Sequence, residues 1–219
     1  MGNRLLPFRQ YSEHEVVNMF ALADAFVNNN ITGFGSGDAG IFVKVTNGNL
    51  DLDPVTYGNN SYLGNTAYPF LGQGGNQMYP SVSLKIAPTT GMNERPLGIA
   101  LMETAQFDEN GQKLLYYPQK AAELQVLLPG KSVPVATRGI FTVTERAYDG
   151  VLTVGQGFAI SNGGNGKITG VSAYTTGLQG SAGSPVIGTV LGTGTRGFSA
   201  EPTIRDRFSG SYAVIKLGL

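Results

Sequence analysis

Several places in the 219-residue chain hold residues whose types and spacing could do chemistry. Gly192-Thr193-Gly194-Thr195-Arg196-Gly197 fits G-x-G-x-x-G behind an apolar run. In a βαβ unit such a run sets a helix N-terminus against a pyrophosphate. Phe198-Ser199-Ala200-Glu201-Pro202 is not a helix start, so the glycines read as a β turn. Gly180-Ser181-Ala182-Gly183-Ser184-Pro185 has the form of a serine nucleophile turn, but Ala182 stands at the nucleophile's position. The sole histidine, His14, lies far along the chain, and without a serine held against a base there is no activated nucleophile. Between Glu13 and Glu15, His14 reads as a solvated polar residue. Asp51 and Asp53 alternate as two metal ligands on a strand could, yet such pairs more often face solvent. None of the fifteen acids lies in a distinctive glycosidase pattern. The expectation is a protein that is not an enzyme, with no catalytic, cofactor-binding or metal residue to nominate and no cofactor.

Composition narrows the remaining classes. With no cysteine, structural disulfides and thiolate zinc sites are excluded, and one histidine excludes any site needing two imidazoles. Fifteen basic and fifteen acidic residues sum to zero, and no Lys/Arg cluster forms a stripe for phosphates, so direct nucleic-acid binding is not expected. No apolar run approaches the ~20 residues that span a bilayer, and the N-terminus lacks the apolar core of a secretory signal, so neither membrane insertion nor general export is expected. Met1-Gly2 would suit myristoylation, but Leu6 stands where Ser or Thr is needed. Glycine is the outlier at 32 residues, and charged residues reach only 14%, against a usual ~25%. Many turns and few surface charges suit a protein that hides surface against neighbours.

The elements that must position any site are mostly strands. Residues 1–11 read as irregular, with Pro7 against any helix. Ser12 and Glu15 then form a capping box, and Val16, Met19 or Phe20, Ala23 and Phe26 or Val27 recur at helical spacing, predicting a helix from Ser12 to Val27 that ends at Asn28-Asn29-Asn30. Gly33 to Gly40, with four glycines, reads as a flexible hinge. Ile41 to Val45 and Leu50 to Leu52 flank Asn47-Gly48, a hairpin signal. Residues 57–80 place Tyr57, Tyr62, Tyr68, Phe70 and Tyr79 among Gly and Asn, a long loop suited to a partner. Val82, Leu84 and Ile86 alternate as a strand.

The stretch Glu94 to Val143 organises the rest, its short apolar runs separated by turns at Asp108-Glu109-Asn110-Gly111 and Pro129-Gly130. Pro118 suits the first turn of a short helix through Glu123. Further strands are expected at Val151 to Val154, Gly157 to Ile160, Gly166 to Val171, Pro185 to Leu191 and Ser211 to Leu217. The fold class is mainly β: a small β-barrel or β-tulip-like domain with an N-terminal arm and one α-helix. Its divisions are 1–36, arm and helix; 37–80, hairpin and Tyr/Gly-rich loop; and 81–219, the barrel.

Arg95-Pro96-Leu97-Gly98-Ile99-Ala100 is followed some thirty residues on by Pro129-Gly130-Lys131-Ser132-Val133-Pro134-Val135-Ala136-Thr137-Arg138-Gly139-Ile140. With Val186 to Leu191 and Ala213 to Leu217, these resemble the small β-barrel decoration proteins of tailed-phage heads, the lambda-type head-stabilising group. The likeness covers roughly residues 80–219 and rests on Gly, Pro and aliphatic positions. It implies a capsid cement protein made in the host cytoplasm and placed on the outer capsid surface of the virion. There a homotrimer would bind the major capsid protein and resist internal DNA pressure. Contacts would come from Leu5 to Tyr11, Ser12 to Val27 and Tyr57 to Tyr79. Two alternatives stay open: a carbohydrate- or receptor-binding virion module using the tyrosines as stacking platforms, and a tail or baseplate component.

Overall fold

A computed structural model describes residues 4–32, 34–46, 85–171, 185–197 and 210–218. Its first strands are β1 (Leu5–Gln10), β2 (Val16–Val17), β3 (Ala21–Leu22), β4 (Asn28–Asn30), β5 (Phe42–Thr46) and β6 (Lys85–Pro88). Next come β7 (Gly98–Ala100), β8 (Glu103–Phe107), the helix α1 (Pro118–Glu123), β9 (Val126–Leu127), β10 (Val135–Ala136) and β11 (Arg138–Thr144). The last are β12 (Tyr148–Asp149), β13 (Gly157–Ile160), β14 (Ile168–Val171), β15 (Gly188–Arg196) and β16 (Gly210–Gly218).

The fold is mainly β with one short α-helix among the described residues, and that helix begins at Pro118 as expected. The strands form three sheets and no closed barrel. A large sheet runs β1-β11-β16-β15-β13-β14-β12, a middle sheet β2-β10-β7-β5-β6-β3, and a small one β4-β8-β9. Each keeps two outer strands, so none closes on itself among the described residues.

Period-2 alternation explains how these sheets stack. In the middle sheet Phe42 lies beside Ile99 and Ile99 beside Ala136, while Val43, Ala100 and Val135 alternate with them. The first set enters one core with Phe141, Phe158, Ile160, Val190 and Ile215 of the large sheet. Phe42 meets Phe158 edge-on, ring centroids 6.2 Å apart. The second set enters another core on the opposite face, with Leu22 and the partly buried Phe20, Phe26 and Val27. A sheet buried on both faces is thus a middle layer, and each fully buried large apolar side chain contributes on the order of 2 kcal/mol. Ile31, Ala105, Leu114, Ala121 and Val126 make a third core between the small sheet and α1.

The predicted helix from Ser12 to Val27 does not form. Ser12 does cap a turn, its Oγ accepting from the amide of His14, but that turn is a 3-10 turn of three residues, Glu13–Glu15. Val16 and Val17 then pair with Ala136 and Val135, and Ala21 and Leu22 with Lys85 and Ile86. Both outer edges of the middle sheet offered backbone groups, and β-branched valines suit strands better than helices. Of the apolar residues that fit a helical stripe, Phe20, Phe26 and Val27 fold over the second face of the middle sheet, Val16 packs on the first core and Met19 is exposed. Residues 5–10, expected to be irregular, are the edge strand β1, where Pro7 is tolerated because one side of an edge strand donates to no neighbour.

Other expectations divide along the same line. β5, β13, β14 and β16 lie where apolar runs between turn residues predicted strands, and β10 and β11 fall within the stretch Glu94 to Val143. Val151 to Val154 is not a strand: Leu152 enters the first core while Val151 and Val154 stay exposed. Gly192 to Arg196 is not a turn but the second half of β15, paired with Val214 back to Gly210 after a register shift between Val190 and Gly192. A Cβ on Gly194 would come within 2.7 Å of the Tyr212 hydroxyl, the far end of a side chain that can swing aside. The Asn47-Gly48 turn, Leu50 to Asp53, the tyrosine loop, Val82, Leu84 and Gly180 to Ser184 lie outside the described residues.

Candidate functional site

Four polar side chains distant in sequence meet where the three sheets converge. Arg4 precedes β1 of the large sheet, Asn28 opens β4 and Glu103 opens β8 of the small sheet, and Asp38 lies in the segment leading to β5 of the middle sheet. All four are buried, Arg4 at 3% exposure, Asp38 at 0% and Glu103 at 9%. The Arg4 guanidinium donates to Asp38 Oδ2 (3.0 Å), the Asn165 carbonyl (2.7 Å) and the Gly35 carbonyl (3.0 Å). Asn28 Nδ2 donates to Asp38 Oδ1 at 2.7 Å and to Glu103 Oε1 at 3.2 Å, while its Oδ1 accepts from the Gly37 amide at 2.9 Å.

The segment expected to be a hinge is the wall of this joint. A Cβ on Gly35 would sit 2.0 Å from Asn28 Oδ1, and one on Gly37 would sit 2.5 Å from the Thr104 carbonyl. Glycine serves here for close approach, not freedom. Three ionisable side chains share the joint, one basic and two acidic. Burial raises the Asp38 carboxyl above its ordinary value, opposed by the hydrogen bond from Asn28 and the charge of Arg4. Glu103 is pushed up to about 7, first by burial and further by the charge of Asp38, against the hydrogen bond from Asn28.

A second polar group lies nearby on the hairpin of β13 and β14. Ser161 Oγ donates to Asp149 Oδ2 at 2.6 Å and accepts from the Gly163 amide, and Lys167 Nζ pairs with Asp149 Oδ1 at 2.8 Å. A serine beside a carboxylate and a lysine could suggest nucleophilic chemistry. Partial burial opposes ionisation of Asp149, but Lys167, Ser161 and Arg4 together hold it below the ordinary aspartate value. A carboxylate held ionised this way is a weak base for a serine hydroxyl, and Lys167 is engaged in the ion pair. The group clamps the parallel pairing of β12 with β14.

The remaining candidates scatter. His14 is exposed in its 3-10 turn. Gly192 to Gly194, inside a strand, form no phosphate cradle. Asp51, Asp53, Ala182 and the tyrosines 57, 62, 68 and 79 lie outside the described residues. No group of three or more potential metal ligands is present among the described residues. No helix among them is long and apolar enough to cross a membrane. Outward-facing features do exist: Phe8 on β1 is 70% exposed with Arg196 over its ring at 5.8 Å, and Tyr116 and Tyr117 are exposed before α1.

Sequence reasoning missed the joint because its members are single residues whose bonded pairs lie 10 to 75 positions apart. One signal was present: Asp38 is the lone charge within a glycine run, where a solvated hinge has no need of it. The chain matches no protein-family model, no curated protein and no solved structure.

Proposed function

We propose that this chain is a structural virion protein that binds the outside of a phage capsid, as a trimer on the major capsid protein, and stabilises the shell. The observation that supports this reading best is β1. It is an outer strand of the large sheet among the described residues, with Leu5 and Leu6 buried and Phe8, Arg9 and Gln10 exposed. A strand half anchored and half presented can extend into a partner's sheet, and Phe8 offers an aromatic anchor. A charge-poor, neutral composition suits repeated contacts with a shell, and many weak identical contacts add by avidity.

Quantitative mass spectrometry of purified particles tests the proposal directly. Hundreds of copies in a simple ratio to the coat protein would support it, whereas a few copies would favour a tail or baseplate component. Absence from particles would sink the virion reading. Deleting residues 1–30 is a poor second test, since 4–30 supply strands to all three sheets. Phe8→Ala is better, because an exposed side chain can be removed without opening a core; weaker shell binding by a folded F8A protein is expected.

A further inference from the structure

Among the described residues, the Arg4–Asp38–Asn28–Glu103 joint touches all three sheets, and its charges do not balance. Arg4 donates toward Asp38, Gly35 and Asn165, so its guanidinium serves the side of the joint away from Glu103. Glu103 keeps one hydrogen bond, from the Asn28 amide group that also serves Asp38. Across β8 it faces β9, whose residues there are Val126 and Leu127, and neither offers a countercharge. Of the described charged side chains, Asp38 acts on it, and it repels the Glu103 anion.

We propose that Glu103 makes this joint a proton-operated latch: with a proton on Glu103 the joint is neutral and holds the three sheets together, and loss of that proton loosens it. Protonated, Glu103 leaves Arg4 and Asp38 as a balanced pair with Asn28 bridging to a neutral acid. Ionised, it puts two buried carboxylates on one amide and one guanidinium, and the uncompensated charge favours opening. The parts released first are those the latch holds most directly: the residues leading into β1, and the 34–40 segment whose Gly35 and Gly37 amides bond Asp38 and Asn28.

The sign follows from linkage. Glu103 rises from 4.5 to about 7 on folding, so the folded chain holds a proton that the unfolded chain has released between those values. The stability this confers is complete below about pH 4.5 and is lost as pH rises through about 7. Asp38 is shifted the same way and adds to the trend from the acid end.

Urea unfolding of the whole chain at constant ionic strength, from pH 5 to pH 8, tests the latch. The folding equilibrium constant is expected to fall roughly fiftyfold across that range in the parent protein. In Glu103→Gln, which keeps the oxygen that accepts from Asn28 but cannot ionise, most of that fall should vanish. An unchanged slope in E103Q, or no fall in the parent, overturns the proposal. Should E103Q fail to fold, a carbon-13 NMR titration of the Glu103 carboxyl in the parent decides: a midpoint near neutrality supports the latch, and one at an ordinary glutamate value overturns it.

Discussion

The buried joint and the Asp149–Ser161–Lys167 clamp use the same chemistry under opposite conditions. In the clamp one aspartate has one lysine, one serine hydroxyl and partial contact with water, so charge is matched and the carboxyl is lowered. In the joint two carboxyls out of water share the Asn28 amide group and only Asp38 meets the guanidinium, and both are raised. They are neighbours: Arg4 bonds the Asn165 carbonyl in the turn before Lys167, and its charge reaches Asp149. Burial thus decides whether a polar cluster stabilises a fold at every pH near neutrality or only while one member stays protonated.

Breaking that comparison at its shared residue should have the largest effect. Arg4→Met leaves Asp38 buried with no countercharge, and a loss of about 3–5 kcal/mol is expected by urea unfolding at pH 7. Gly37→Ala should cost about 1–3 kcal/mol, because the two atoms nearest its Cβ are backbone and cannot swing aside. Ser161→Ala in the clamp removes a hydrogen bond to a charged group and should cost about 1.5 kcal/mol by the same assay. Asp149, Asp108 and Glu94 are lowered on folding, so the stability they confer is present above their unfolded values and lost as pH falls through the folded ones. Below pH 4 the parent should therefore weaken, and Asp149→Asn should show a shallower acid limb. Lys167→Met, at a half-exposed pair, should change stability by less than about 1 kcal/mol.

The strands that read correctly from sequence are those whose neighbours impose alternation: β11, β13 and β16 each have one face in the first core. Pro118 was legible because proline at a first helical turn needs no partner elsewhere in the chain. Residues 12–27 were not, since an apolar residue every three or four positions fits both a helix and a ribbon crossing a sheet, and the open edges of the middle sheet decided between them. Glycine misled twice for one reason. Local reading takes it as freedom, whereas Gly37 is hemmed in by backbone across from it and Gly194 lies inside a paired strand. The four members of the joint carry no local pattern at all; only the stacking of three sheets brings them together.

The order of the large sheet also has a mechanical meaning. β1 and β16 flank β11, both antiparallel to it, and therefore run parallel to each other, with Leu5 level with Ala213 and Gln10 level with Lys216. Tension applied at residues 5 and 218 pulls the two flanking strands in opposite directions along their axes. Ladder hydrogen bonds lie across that direction, so the rungs share the load in shear instead of opening one by one. Forced unfolding is governed by the rate of barrier crossing, and a pull through these two points meets the sheet along its stiffest line.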